Sequence, residues 1–355
     1  MSNWKFLFLL TAYYLLLTTF SIYSYSQLDL NLTLSSNPTY QSIQHQLTQL
    51  GYFNRPLSTV IFFFFLALFT IHYSLFTAKH ESWKFSLKQL WTLIVGGSLI
   101  MTLSYPAFAH DIFNYMFDSR IVVKYLDNPW QKTPLDFPTD EWTRFMRWTH
   151  VTSVYPPGWI VTTIPFYLLG LGKFTLTLLS FKFMGLLAFL GSSWLMLRLA
   201  GKRAWVLWSF NPMVLIESLS SVHNEIVMVF FTLLAFWFHQ KSRKRTVLTK
   251  TVLMKLKRSD LIRRVASYLL LILAGLIKYS SFLLILFLNN PFRAAVAAWV
   301  SAAIFIAIRE VNPWYILLPV AMSFAANDKR LTKIALVSSI LVMYRYYPCV
   351  AVFSC

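Results

Sequence analysis

Charged residues are scarce in this sequence. Asp, Glu, Lys and Arg together make up 13% of the 355 residues, whereas roughly 25% is usual for a soluble domain. So few charges cannot cover a water-exposed surface, and the composition therefore argues against a soluble enzyme, a disordered chain and a nucleic-acid-binding module. Cysteine is almost absent as well. The two cysteines, Cys349 and Cys355, both lie at the C-terminal end, so no disulfide framework is expected.

Acidic residues are rarer than basic ones: 13 Asp and Glu stand against 32 Lys and Arg, which gives a net charge of +19. The basic residues gather between long apolar runs, a pattern typical of the cytoplasmic loops of membrane proteins. Apolar residues make up 57% of the chain and aromatic residues 18%. These features predict an all-α protein, a polytopic transmembrane helical bundle in the plasma membrane that forms a single domain over 1–355.

The apolar runs predict about 9–11 spans. The first run, about 5–24, has no good signal-peptide cleavage site and is read as a retained span with a cytoplasmic N-terminus. Runs 56–76 and 90–108 follow, so that 109–154 is expected to be a large external loop. The segment 239–264 is strongly basic and is expected to be a cytoplasmic loop lying against anionic headgroups. Later runs begin near Val154, Phe174, Ala204, Asn224, Val265, Ala294, Trp314 and Leu331.

Two of the later runs do not read as simple spans. Four apolar runs lie between the predicted external loop and the predicted cytoplasmic loop. Because these loops lie on opposite sides of the membrane, the chain between them must cross it an odd number of times. The run 155–172 contains Pro156, Pro157 and Pro165, and we expect it not to cross fully, which is tolerated where backbone lines a protein cavity. The run 265–290 is interrupted by Lys278, so its path is left open.

Polar residues within or beside apolar runs are candidates for function, because they are costly in a membrane. Five clusters occur, at 110–115, at 128–130 leading to 155–157, at 211–225, at 278–279 and at 309–315. Each has an ordinary structural explanation: an interfacial acid, a helix cap, a snorkelling lysine, or Trp and Tyr of the aromatic belt. On the predicted orientation, however, all but the fourth face the outer side, and Lys278 lies near the membrane.

The order of these motifs resembles the C-type-fold (GT-C) glycosyltransferases, in particular the polyprenyl-phosphate-mannose-dependent mannosyltransferases. The motifs that carry the resemblance are Asp111 to Tyr115, Asn128-Pro129-Trp130, Tyr155-Pro156-Pro157, Asn211-Pro212 with His223-Asn224-Glu225, Lys278-Tyr279 and Pro313-Trp314-Tyr315. Each is short, but all occur in the family's order over more than half of the chain. The resemblance implies an enzyme that transfers a hexose, expected to be mannose, from a polyprenyl-phosphate sugar to a glycan or lipid-linked acceptor on the extracytoplasmic side.

Such an enzyme needs a carboxylate that deprotonates the acceptor hydroxyl while it attacks the anomeric carbon. We expect Asp111 to be this base, because it follows the third run at its outer end. A single base without a covalent step implies inversion. Asp118 is the second candidate, since a residue seven positions further along a helix lies on about the same face.

The departing phosphate needs cations or hydrogen-bond donors, for which Lys278, Arg309 and His223 are the candidates. The candidates for binding the acceptor or the sugar are Glu225, Tyr155, Trp130, Trp314 and Glu310. For the aromatic residues, a place in the aromatic belt is an equally good interpretation. No metal and no cofactor are expected, and the lipid-linked sugar donor serves as co-substrate. The expected partners are this donor, the acceptor and membrane lipids, not nucleic acid.

The main alternative is a polytopic transporter or a lipid flippase for a glycolipid. Transporters often show internal repeats with matching broken helices, and no convincing repeat is visible here, since the acid-rich loop occurs once. A structural membrane subunit would leave the clustered polar residues unexplained.

Overall fold

The computed structural model describes residues 3–28, 34–77, 85–248 and 258–352, and regular secondary structure in these ranges is helical throughout. The α-helices are α1 (Asn3–Ser24), α2 (Pro38–Leu50), α3 (Arg55–Thr77), α4 (Leu87–Thr102), α5 (Asp111–Lys124), α6 (Pro157–Leu169), α7 (Phe174–Ser209), α8 (Pro212–Leu215), α9 (Asn224–Leu248), α10 (Arg258–Ile277), α11 (Pro291–Ile308), α12 (Leu317–Ala326), α13 (Lys329–Leu341) and α14 (Tyr347–Val352). Short 3₁₀ helices lie at Tyr25–Gln27, Pro134–Asp136, Glu141–Phe145, Tyr279–Phe287, Pro313–Ile316 and Val342–Tyr346. The predicted all-α class is confirmed.

Within the described ranges, four helices are long and apolar enough to cross a membrane: Phe6–Gln27, Arg55–Thr77, Phe174–Ser209 and Pro291–Ile308. A bent pair that begins at Pro212 makes a fifth if its two halves are counted as one span. The chain is therefore a polytopic helical membrane protein. The sequence count of about 9–11 spans is larger because it also included runs that form shorter or more charged helices.

Two helices illustrate this difference. α4 has 16 residues and is about 24 Å long at a rise of 1.5 Å per residue. α6 has 13 residues and is about 20 Å long, shorter than a hydrocarbon core of about 30 Å. The length of α6 agrees with the expectation that the run 155–172 does not cross fully.

The long helix α7 combines two of the predicted runs, those beginning at Phe174 and Ala204. Its 36 residues are interrupted at Gly201, where φ is +84° and ψ is −176°, so the helix is kinked between the two runs. Residues with a side chain rarely adopt such a φ, whereas glycine adopts it at little cost. α7 packs against α4, α5, α6, α9 and α12, so it forms the centre of the bundle.

The predicted basic loop 239–264 is helical wherever the structure describes it. α9 continues to Leu248 and α10 begins at Arg258, while residues 249–257, also part of this prediction, lie outside the described residues. α9 and α10 pack against each other more extensively than any other pair of elements. The described parts of the basic segment, 239–248 and 258–264, therefore extend two packed helices.

The predicted external loop 109–154 is an ordered segment held by a buried carboxylate. The Asp140 carboxylate accepts hydrogen bonds from the Arg120 guanidinium at 2.5 Å, the Tyr125 hydroxyl at 2.5 Å and the Lys124 amine at 3.2 Å. Burial alone raises the pKa of Asp140, but these hydrogen bonds outweigh it and lower the pKa to about 2. The Arg120 guanidinium also lies 4.0 Å from the centre of the Trp142 ring. The part of the segment that follows α5 is thereby fastened to α5, which carries Asp111.

Candidate active site

A broken helix supplies part of the site. α8 begins at the Asn-Pro pair found in the sequence: the Asn211 side chain accepts a hydrogen bond from the Val214 N–H at 3.3 Å, and Pro212 occupies the first turn. After one turn the chain widens into a π-helical turn, Ile216–Ser220. It then bends by 111° before α9 begins. His223 lies in this bend, directly before the first residue of α9.

The bend is strained and tightly packed. Val222 has a φ of +55°, which is unusual for a β-branched residue and is found where the surrounding structure enforces it. Gly185 of α7 lies against the bend, and a β-carbon there would be 2.7 Å from the Ser218 carbonyl oxygen and 2.8 Å from a Val222 methyl carbon. Only glycine at 185 therefore lets α7 approach so closely. The approach fixes the position of His223.

A buried lysine of α7 holds the same bend. The Lys182 amine donates hydrogen bonds to the carbonyl oxygens of Ser220 at 2.5 Å, Ser104 at 2.7 Å and Leu219 at 3.2 Å. Two of these carbonyls end the π-helical turn, where backbone acceptors lack helical partners. The third precedes α5. Lys182 thus connects the segment leading to Asp111 with the segment leading to His223.

Replacing this lysine is expected to lower stability. Lys182→Met removes the donor of three hydrogen bonds and leaves buried carbonyls without it, each at a cost of about 1–3 kcal/mol. We expect a clear drop in the thermal unfolding midpoint of the purified protein in detergent. Lys173→Met, at the exposed start of the same helix, is the control and should unfold near the wild-type temperature. Equal midpoints for the two variants would contradict this role.

The centre of the site is an imidazole between two carboxylates. His223 Nε2 lies 3.0 Å from Glu217 Oε2, and His223 Nδ1 lies 3.5 Å from Asp111 Oδ2. The other oxygen of Glu217 accepts a hydrogen bond from the Tyr346 hydroxyl. The Trp314 ring is stacked on the imidazole, with centroids 4.1 Å apart. Five side chains from distant parts of the sequence therefore form one connected group.

Exposure distinguishes the members of this group. The side chains of His223 and Glu217 are completely buried, whereas 22% of the Asp111 side chain is exposed. Of the two carboxylates and the imidazole, Asp111 is thus the one that a substrate can reach. It also occupies the first turn of α5, where the helix dipole favours a negative charge.

A second charged pair lies beside this group. The Lys278 amine contacts Glu225 Oε1, and 21% of the lysine side chain is exposed while that of Glu225 is 2% exposed. Lys278 directly follows α10 in extended backbone, so the interruption seen in the sequence is a real helix break. Its amine is 5.1 Å from the centre of the Tyr315 ring. The pair lines a small pocket between α9, α11 and α12.

The electrostatics of Asp111 reflect both groups. Burial raises the pKa of the Asp111 carboxyl, and the nearby charge of Glu225 adds to this rise. The positive charges of His223 and Lys278 act in the opposite direction. The net result is a pKa above the usual range for aspartate, which is typical of a carboxylate that exchanges protons near neutral pH.

Three predicted aromatic residues take two different places. The Tyr155 ring packs edge-on against Tyr115 of α5, with centroids 4.8 Å apart, and lies near enough to Asp111 and Glu225 for their charges to act on it. Trp130 donates from Nε1 to the Tyr155 carbonyl oxygen at 2.8 Å and is 41% exposed. Tyr155 thus lies beside Asp111, and Trp130 lies against the backbone of Tyr155. Trp314 lies instead against His223.

Asp118 lies on the same helix as Asp111 but in a different setting. Burial raises its pKa to about 7, with a hydrogen bond from Ser153 acting against the rise. It forms no ion pair in the part of the chain that the structure describes. Its role as the second candidate for the base stays a prediction.

Two predicted residues are not brought to this group. Glu310 is exposed and pairs with Arg345. Arg309 is exposed at the end of α11, and among the described residues its side chain has no ion pair and no hydrogen bond, so it does not pair with Glu310 either. Nothing in the geometry supports the predicted roles of Arg309 at the phosphate and of Glu310 at the acceptor, which remain predictions.

The predicted phosphate contact of His223 also finds no support in the geometry. Both ring nitrogens face carboxylates, and the side chain has no exposed surface. A phosphate would have to displace Asp111 or Glu217 to reach it. The contacts therefore favour a role for His223 toward Asp111.

Sequence reasoning missed two residues of the site, Lys182 and Tyr346, and gave no role to Glu217 although it lies in the 211–225 cluster. Lys182 carries charge within an apolar run, which is a signal of function or of a specific partner, but it was not selected. Tyr346 lies 129 residues from Glu217, to which it donates, and no local pattern indicates that contact. Among the described residues, no group of three or more His, Cys, Asp and Glu side chains is arranged to hold a metal ion.

Comparison with known proteins gives one match. Residues 24–293 match the family described as alpha-(1→6)-mannopyranosyltransferase, N-terminal domain. The match covers well over half of the chain and includes Asp111, Glu217, His223, Glu225 and Lys278. No curated protein and no solved structure matches the chain significantly.

Proposed function

The chain belongs to the alpha-(1→6)-mannopyranosyltransferase family, and from this premise we propose which donor it uses and how it transfers the sugar. As a member of the family it is a mannosyltransferase of the membrane, with a sugar donor and a glycan acceptor. The proposed donor is a polyprenyl-phosphate mannose and the proposed base is Asp111. The observation that carries the proposal is the partly exposed carboxylate of Asp111 beside the partly exposed amine of Lys278.

The pocket next to Lys278 supports a lipid donor. Its lining includes the small residues Ala298, Ser301 and Ala302 of α11, together with apolar side chains from α9 and α12. The outer face of α11 is apolar and exposed at Val300 and Ile304. A polyprenyl chain is a hydrocarbon, so the apolar, lipid-facing surface of α11 beside this pocket suits it.

Lys278 is the proposed partner of the donor phosphate. An ammonium group can stabilise the negative charge that gathers on a departing phosphate. The Glu225 carboxylate already pairs with the positive charge of Lys278, so the lysine is held in place before the donor binds. The Tyr315 ring and Lys278 both line the pocket, and we propose that the phosphate binds at this polar end.

The proposed reaction is a single displacement. Asp111 takes the proton from the acceptor hydroxyl, whose oxygen forms a bond to the anomeric carbon of mannose. The bond between that carbon and the phosphate oxygen breaks, and its electron pair leaves with the polyprenyl phosphate. Because no covalent intermediate forms, the configuration at the anomeric carbon inverts. The family description implies that the attacking group is the 6-hydroxyl of a mannose residue in the acceptor.

The proposal is tested with purified protein, a mannose-terminated oligosaccharide and two alternative donors. We expect elongation of the acceptor with polyprenyl-phosphate mannose and none with a nucleotide-activated mannose. The sequence has no glycine-rich phosphate loop that would suit a nucleotide. Transfer from the nucleotide donor alone would refute the proposed donor, and NMR of the product tests the linkage and the inversion.

The proposed site faces the extracytoplasmic side of the plasma membrane, which a labelling experiment checks. In a background with both native cysteines replaced by serine, Leu126→Cys at the exposed end of α5 should react with a membrane-impermeant maleimide on intact cells. Lys241→Cys in the basic part of α9 should react only after the membrane is opened. The residues are exposed in both cases, so the reverse pattern would refute the orientation.

A further inference from the structure

Glu217 is an acid in the fully buried interior, and the mechanism above gives it no part. Its side chain has no exposed surface, and an isolated buried carboxylate is costly unless it has partners. Both oxygens have one: Oε2 lies 3.0 Å from His223 Nε2, and Oε1 accepts from the Tyr346 hydroxyl. Glu217 is therefore fixed on one side and faces the imidazole on the other.

His223 connects Glu217 with Asp111. One ring nitrogen lies toward each carboxylate, at 3.0 Å and 3.5 Å, and the stacked Trp314 ring limits how the imidazole can tilt. An imidazole can offer an N–H to both sides only when each nitrogen carries a proton. With carboxylates on both sides, the arrangement is suited to an imidazolium.

We propose that Glu217 is a positioning residue for sugar transfer, holding the His223 imidazolium beside Asp111 and thereby keeping that base ionised and correctly oriented. The inference rests on the proposed role of Asp111 as the base. In this arrangement Tyr346 holds Glu217, Glu217 holds His223, and His223 supports the carboxylate that reacts. The substrate meets only the last of these groups.

Asp111 needs such support because its surroundings disfavour the ionised form. Burial raises the pKa of Asp111, whereas a general base must be deprotonated to act. The titratable groups that face it are His223, Glu225, Lys278, Tyr115 and Tyr155. Of the two cations among them, Lys278 is already paired with Glu225 and is the proposed partner of the donor phosphate. His223 is then the cation left for Asp111 during the reaction.

The direction of a pH shift distinguishes this role from a simpler one. If Glu217 acted on Asp111 only as a distant negative charge, its removal would make Asp111 easier to ionise. The acidic limb of the rate profile would then move to lower pH. If Glu217 acts through the imidazolium, its removal costs Asp111 a cationic neighbour, and the limb moves to higher pH. A charge within a few ångströms shifts an aspartate by about 1–3 pH units.

The test is the pH profile of kcat/KM for Glu217→Gln and Tyr346→Phe, measured with polyprenyl-phosphate mannose and a mannose oligosaccharide. For Glu217→Gln we expect the acidic limb to move to higher pH by about 1 pH unit or more. We also expect a lower kcat at neutral pH and an unchanged KM for the donor. For Tyr346→Phe we expect a smaller shift in the same direction. Glu141→Gln and Tyr344→Phe, both at exposed positions, are the matched controls and should keep the wild-type profile.

Each outcome decides between the possibilities. A limb that stays in place or moves to lower pH in folded Glu217→Gln overturns the inference, while transfer by the wild type keeps the proposed function. If Glu217→Gln does not fold, Tyr346→Phe decides, and an unchanged profile in that variant overturns the inference. If the wild type transfers no mannose from the lipid donor, the proposed function fails, and the inference fails with it.

Discussion

Asp111→Asn is expected to lower the rate of mannose transfer by about 10²–10⁴-fold, the usual contribution of a general base. The amide keeps the size of the side chain but cannot take the proton of the acceptor hydroxyl. Since the carboxylate is partly exposed at the start of α5, the change should leave folding and membrane insertion intact. The measurement is kcat of the purified variant, together with its thermal unfolding midpoint.

The pH dependence of the wild type belongs to the same prediction. The pKa of Asp111 is raised, mainly by burial, and the base acts in its ionised form. The rate of mannose transfer should therefore be maximal above this pKa and should fall as the pH decreases through it. The acidic limb is expected above the ordinary pKa of aspartate, about 3.9.

Two further variants make the Asp111 prediction specific. Asp118→Asn tests the second candidate, whose pKa of about 7 is also raised by burial. Asp136→Asn, at an exposed position of the same segment 109–154, is the control and should transfer mannose at the wild-type rate. If Asp111→Asn stays active while Asp118→Asn is inactive, the base is Asp118.

Much of the fold follows from composition and from individual residues. The shortage of charge and the apolar runs predict an all-α membrane bundle, and Lys278 marks a break that the structure contains. The count of spans is harder to predict, because apolar length does not show whether a run is straight, broken or short. α7 joins two runs across Gly201, while the chain bends by 111° between α8 and α9.

The site was predictable where its residues carry their own signal. Asp111, His223, Glu225 and Lys278 are polar residues within or at the ends of apolar runs, and the structure brings all four together. Which of them pair could not be predicted, because pairing depends on the bend at Val222. Arg309 and Glu310 carry the same kind of signal, yet Glu310 pairs with Arg345 at the surface.

Lys278→Met is expected to raise the KM for the lipid donor by about 10–100-fold, in line with 1.5–3 kcal/mol for a hydrogen bond to a charged group. Methionine keeps the length and the apolar character of the side chain but removes the positive charge. Kinetics with donor titration at saturating acceptor measure the effect. Lys333→Met, on an exposed face of α13, is the control and should bind the donor as the wild type does.

A loss of donor binding in Lys278→Met has a second possible cause, because the change also leaves the buried Glu225 carboxylate without its cation. Glu225→Gln separates the two causes. It keeps the lysine and removes the competing negative charge, so a phosphate should bind at least as tightly as in the wild type. If the two variants weaken donor binding equally, the ion pair is structural. If only Lys278→Met weakens it, the amine itself binds the phosphate, since the same ion pair is broken in both variants.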